Sequence, residues 1–183
     1  MVGRDAASVN IRKYRVKSPL LLATVGTCCV VIVSVPVCSP WIVWNASSSV
    51  PIGLYRVQPM TPGRHDLALI RLAPDLATLA NRRGYLHGTD YVLKPVVANA
   101  GDTVCRLGAA ILVRGDIAAL AQRRDRANRP MPIWQGCHTL KPGELFLLSA
   151  SPDSFDSRYF GPVAVTQVIG SAQPLWLFPD ITN

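Results

Sequence analysis

Ser47, Ser48 and Ser49 fall in the stretch NASSSVPIGLYR, residues 45–56, just beyond a long apolar run. A serine hydroxyl becomes a nucleophile when a neighbouring base takes its proton. Histidine is the usual base, and the chain has three: His65, His87 and His138. His65 stands in a turn with Asp66, His87 in a Gly-rich loop, and His138 beside Cys137. There is no G-x-S-x-G elbow, and nothing in the sequence supports a Ser-His-Asp triad. Lysine is the other base. Beyond residue 38 only Lys94 and Lys141 occur, against twelve arginines. Lys141 sits in LKPGE, a plain turn, whereas Lys94 sits within YVLKPVVANAGD among Val92, Leu93, Val96 and Val97. An amine in apolar surroundings loses proton affinity, because desolvation penalises the ammonium form. Such a lysine serves as a general base near neutrality. The competing reading of Lys94 alone is a strand lysine turned to water on the polar side of the alternation.

The elements that must position these groups read mostly as short strands. GLYRV leads through a QPMTPGRHD turn to LALIRL, and one helix is expected over DLATLANRRG, with Pro74 and Asp75 in its first turn and Gly84 ending it. YVLKPVVA and AAILVRGDIAAL read as strands or hairpin arms, the second pair turning at Arg114-Gly115-Asp116. ANRPMPIWQG is extended and Pro-rich; GELFLLSAS and VTQVIGSAQPLWLF complete a mainly β domain with one short helix.

Ahead of that domain, Leu20 to Val37 is an almost continuous apolar run. Eighteen helical residues rise about 27 Å, close to the hydrocarbon thickness of a bilayer. Half of the net charge of +8 lies in residues 1–17 (Arg4, Arg12, Lys13, Arg15 and Lys17 against Asp5). That asymmetry places residues 1–19 in the cytoplasm as a basic tail, 20–37 across the membrane as an anchor or uncleaved signal, and 38–183 on the far side. Trp41 and Trp44 would meet the far interface. A cleaved signal peptide, leaving a soluble exported domain, is the alternative.

Cys28, Cys29 and Cys38 lie in or beside the apolar run, so Cys105 and Cys137 are the exported pair and read as one disulfide. His138 has no further ligands at usable spacing, so no metal site is expected. Arg123, Arg124, Arg126 and Arg129 lack interleaved aromatics and read as a solvated face rather than a nucleic-acid site.

Three stretches resemble the boxes of type I signal peptidases: SVPIG at 49–53, YVLKPVVANAGD at 91–102 and SFDSRYFGPV at 154–163. They stand in the family's order. The opening N-x-x-x-S-x-P-x-G-L-Y and the GCHTLKPGELFLLS before the last box are most similar to conjugative transfer peptidases of the TraF type. Pro95 departs from the general enzymes' arginine, and Ala98 and Ala100 replace a Gly and a Pro. The resemblance implies a signal peptidase-like antiparallel β domain in the periplasm, anchored in the inner membrane, with a Ser49/Lys94 dyad and no cofactor. It assigns Ser47, with the Ser49 backbone N–H, to an oxyanion hole. It assigns Ser154 to orienting the Lys94 amine, and Asp156 with Arg158 to a supporting ion pair. Its substrate would be a pilin precursor, cleaved or cyclised among conjugative type IV secretion components. A general signal peptidase for exported preproteins is the alternative enzyme, and a non-catalytic β-rich assembly factor of a secretion channel the alternative from another class.

Overall fold

The computed structural model describes residues 40–178. The segments assigned from sequence to a cytoplasmic tail (1–19) and a membrane span (20–37) lie outside the described residues. Among the described residues no helix is long and apolar enough to cross a membrane.

Among the described residues eleven strands form two antiparallel sheets. The larger has the order β1-β2-β11-β3-β4-β9-β10, built from β1 (Ile42–Asn45), β2 (Gly53–Gln58), β3 (Leu67–Arg71), β4 (Tyr91–Ala98), β9 (Glu144–Leu147), β10 (Val163–Ala164) and β11 (Val168–Leu177). The smaller has the order β7-β6-β5-β8, from β5 (Thr103–Leu107), β6 (Ala110–Val113), β7 (Asp116–Leu120) and β8 (Gly136–Thr139). Turn chemistry explains the tightest hairpin. β6 and β7 are joined by Arg114 and Gly115 alone, both at positive φ (54° and 93°), as a two-residue loop matching the strand twist requires.

Helix α1 (Pro74–Arg82) follows the sequence reading closely. Pro74 opens it, Asp75 lies in its first turn, and Gly84 at φ 74° turns the chain away just after its end. The expectation of one helix is corrected by a second, α2 (Ser157–Phe160). Four residues are too few to display a 3.6-residue period. What makes this turn is its N-cap: the Asp156 side chain accepts from the Arg158 backbone N–H.

Side chains divide between two clusters. Ala68, Ile70, Val92 and Val96 join a large core with Phe146, Leu147 and Phe155, while Leu69, Leu93, Val50, Tyr55 and Val57 form a smaller one. Strand alternation thus buries both faces of β3 and β4, and Lys94 shares its parity with Val92 and Val96. There is no polar side for it to reach. Trp44 on β1 instead lies on the surface, edge-on to Phe178, and Phe178 packs on Trp176.

Candidate active site

The serine stretch is not a slack linker. It caps the β1–β2 hairpin, whose register ends at Asn45 opposite Gly53. Asn45 is buried, and its Nδ2 approaches the carbonyls of Ser47 (2.8 Å), Val50 (3.0 Å) and Pro51 (3.1 Å). Its Oδ1 accepts from the Ser47 backbone N–H and from the Ser47 hydroxyl at 2.9 Å. Tyr55 Oη donates to the Pro51 carbonyl at 2.6 Å, and Val50 is buried in the smaller core. One amide, one phenol and one valine therefore set the path of most of the loop. Gly53 closes it: a Cβ there would stand 2.2 Å from the Trp176 carbonyl of β11. Close backbone approach, rather than a special φ, is what this glycine permits.

The loop delivers Ser49 to Lys94. Lys94 Nζ lies 2.5 Å from Ser49 Oγ and donates to Ser154 Oγ at 2.9 Å, and the two hydroxyl oxygens are 3.3 Å apart. The lysine is 5% exposed. Burial pulls its pKa down to about 8; Asp156 opposes that shift and Arg158 adds to it. The small Ala68, which is Lys94's cross-strand partner on β3, is fully buried beside it.

Behind this trio lies a fully buried ion pair. Arg158 Nε donates to Asp156 Oδ1 at 2.7 Å and Arg158 Nη2 to Asp156 Oδ2 at 2.9 Å. Both residues are at most 1% exposed. Charges so placed persist only when their remaining lone pairs and protons are also satisfied. Here Ser149 supplies the partners: its N–H donates to Asp156 Oδ2 and its carbonyl accepts from Arg158 Nη2.

Of the residues singled out in the sequence, the structure brings together Ser49, Lys94, Ser154, Asp156 and Arg158. Ser47 stands on the same loop with its hydroxyl turned to Asn45, and Ser48 is exposed. The hydrogen-bond partners of Ser49 Oγ are Lys94 and Ser154, not a histidine. His138 pairs with Glu144 at 2.8 Å, His65 is exposed, and His87 reaches only the lining of the cleft. Lys141 occupies an exposed turn. Cys105 and Cys137 face each other across β5 and β8 and are bonded through their sulfurs. Among the described residues no cluster of His, Cys, Asp or Glu could hold a metal ion.

A cleft of about 820 Å³ opens from Ser49 and Lys94 and runs past Tyr85 and Met131 to Arg126 and Arg129. Two of the arginines read as a solvated face therefore line it. They are paired there, Arg129 with Asp125 at 2.7 Å and Arg126 with Asp153.

Three residues escaped the sequence reading. Ser149 was an unmarked serine in GELFLLSAS. Asn45 stood in the quoted motif with no role assigned. Arg106, 2% exposed, donates to the Arg158 carbonyl at 2.7 Å and so ties the smaller sheet to α2. Only Asn45 carried a usable signal, its fixed offset from Ser49.

A short serine loop, a strand-borne lysine and a buried ion pair set in antiparallel sheets define a class. Residues 16–177 match the family model described as signal peptidase, peptidase S26, and the chain belongs to that family. Within it the chain is similar to plasmid transfer protein TraF of Escherichia coli, 32% identical over 143 residues, which cover 72% of this chain and 80% of that one. It is also similar to the probable conjugal transfer protein TraF of Sinorhizobium fredii, 35% identical over 144 residues, covering 70% and 73% respectively. The crystal structure of a signal peptidase I from Enterococcus faecalis aligns with 62% of this chain and 98% of its own, at 21% identity and a TM-score of 0.36.

Proposed function

We propose that the chain is a membrane-anchored serine endopeptidase with a Ser49/Lys94 dyad, acting on a pilin precursor during conjugative pilus assembly. The observation that carries this reading is the 2.5 Å approach of Lys94 Nζ to Ser49 Oγ at a buried lysine. Neutral Lys94 takes the Ser49 proton as Oγ attacks the scissile carbonyl after a small residue. The Ser49 N–H and the Ser47 hydroxyl, rotated away from Asn45, receive the developing oxyanion. Lys94 then protonates the leaving amine, the C–N bond breaks, and an acyl-enzyme remains on Ser49. Water resolves it to a linear product, with Lys94 accepting the water proton. Attack by the substrate's own amine resolves it to a cyclic one.

The TraF relatives support a setting in conjugative transfer, with type IV secretion components as partners. The basic residues before Leu20 support a cytoplasmic tail (1–19), an inner-membrane anchor (20–37) and a periplasmic catalytic domain. The exposed Trp44, Trp176 and Phe178 suit that placement, since aromatic side chains favour a membrane interface. Mass spectrometry of pilin from cells carrying the wild type or Ser49→Ala tests the reading. A processed mass only with the wild type supports it, and a further loss of one water relative to the linear product marks cyclisation. Processing of exported preproteins at large would favour a general signal peptidase. Normal transfer with Ser49→Ala and Lys94→Ala would favour a non-catalytic assembly factor.

A further inference from the structure

Asn45 gathers the carbonyls of Ser47, Val50 and Pro51, but not that of Ser49. The nucleophile's own carbonyl is held from elsewhere. Ser149, 100 residues away in sequence, places its hydroxyl 2.5 Å from it and donates. Ser149 is 3% exposed, and it follows directly on the end of β9 and Leu148. Every polar group it has is engaged. Its N–H goes to Asp156 Oδ2 at 3.0 Å, its carbonyl takes Arg158 Nη2 at 2.6 Å, and its Oγ also accepts the Ser151 N–H at 3.2 Å.

We propose that Ser149 is a positioning residue for the nucleophile, transmitting the placement of the Asp156–Arg158 ion pair to the backbone of Ser49. This role rests on the peptidase reading above. The ion pair grips residue 149 on both sides of its backbone, so the hydroxyl has little freedom beyond its own rotor. The bond to the Ser49 carbonyl fixes the torsion that follows the Ser49 Cα and, with it, where Oγ stands relative to Lys94. Asp156 and Arg158 of the same buried pair lie two and four residues after Ser154, which holds the amine. One ion pair thus has two arms, Ser154 to the base and Ser149 to the nucleophile. Both halves of the dyad, 45 residues apart in sequence, are registered against a single rigid reference. Misplacement of reacting atoms by about 1 Å costs about a hundred-fold in rate, so the second arm is as necessary as the first.

The test uses the purified full chain and an internally quenched peptide with alanine on the acyl side of the scissile bond. Ser149→Ala should lower kcat by roughly ten- to a hundred-fold and leave KM within about two-fold. The rise of activity through pH about 8 should stay in place, because Lys94 keeps its surroundings. Ser149→Thr, which retains the hydroxyl, should recover most of the loss. Hydrogen exchange of residues 47–52 should quicken in Ser149→Ala and not in Ser154→Ala, which loosens the lysine alone. Unchanged exchange in Ser149→Ala, a kcat within about two-fold of wild type, or a Thr variant as impaired as Ala each overturns the proposal. A wild type that cleaves no faster than Ser49→Ala defeats the peptidase reading and this role with it. The exchange comparison still reports whether Ser149 holds the loop, so the two failures are told apart.

Discussion

Lys94 Nζ meets Ser49 Oγ at 2.5 Å although 45 residues separate them, and it does so from inside the sheet. Lys94→Ala should therefore cut peptide cleavage by about a thousand-fold with the fold intact, as should Ser49→Ala. Arginine stays protonated throughout the accessible pH range, so Lys94→Arg should be equally inactive despite keeping the charge. Lys141→Ala should be near neutral. Steady-state cleavage of one fluorogenic peptide by the four variants reads all of this. A Lys94→Arg enzyme at near-wild-type rate would send the search for a base back to His87, which lines the cleft.

The pKa of about 8 at Lys94 makes two pH statements. With Lys94 as the proposed base, catalysis needs the neutral amine, so kcat/KM should rise with pH and reach half its plateau near pH 8. Stability follows the same group with a different window. The folded pKa lies below the unfolded value, so between about pH 8 and 10.5 the unfolded chain binds more protons and stability rises with pH. Below that window the cost of holding the buried ammonium is felt in full, about 3 kcal/mol. Lys94→Met should consequently be inactive yet no less stable at pH 7, and should flatten the alkaline rise in a thermal-unfolding series. An unfolding midpoint well below wild type at pH 7 would contradict it.

Asn45→Ala should collapse the nucleophile loop, because it strips donors from the carbonyls of Ser47, Val50 and Pro51 together. The expected loss is about 2–3 kcal/mol in denaturant unfolding, with cleavage abolished. Asn45→Asp should be no better, since it sets an acceptor against three acceptors. Retained activity in either variant would show that Tyr55 and Val50 suffice to shape the loop.

The Cys105–Cys137 bridge joins strands 32 residues apart in sequence. Replacing both cysteines by serine should cost about 3–4 kcal/mol in the chain-entropy view. Non-reducing peptide mapping of protein from an oxidising compartment should recover the two residues on one linked fragment. Free, alkylatable thiols at both positions in folded protein would rule the bridge out.

How much of this was legible in the sequence depends on the range of the forces involved. Local chemistry was readable: Pro74 and Asp75 opening a helix, Arg114-Gly115 turning a hairpin, and Lys94 set among Val92, Leu93 and Val96. The three boxes pointed to Ser49, Lys94, Ser154, Asp156 and Arg158, and these meet in space. Contacts made across the chain were invisible. Ser149 looks like any serine until a carbonyl 100 residues away needs its proton. β1 was hidden because Trp41 and Trp44 read as interface aromatics, while its strand character comes from pairing with β2. Gly53 stands within the first box, but nothing local said that β11 was the neighbour it lets approach.

Gly53→Ala puts that last contact to measurement. With Trp176 O only 2.2 Å from the added carbon, β2 and β11 must part locally. Reduced thermal stability and faster amide exchange at residues 53–55 are expected. A variant indistinguishable from wild type would mean the two strands have slack that the structure does not display.

β11 also governs when the molecule can come into being. It is the last strand among the described residues, yet it lies between β2 and β3, pairing with both. Until Val168–Leu177 has arrived, the strand that follows the serine loop and the strand that borders Lys94's own have nothing between them to join them. A chain emerging from its amino end therefore holds Ser49 and Lys94 on separate pieces of sheet. If Ser49 and Lys94 form the proposed dyad, the sheet that carries it is complete only once β11 joins β2 to β3.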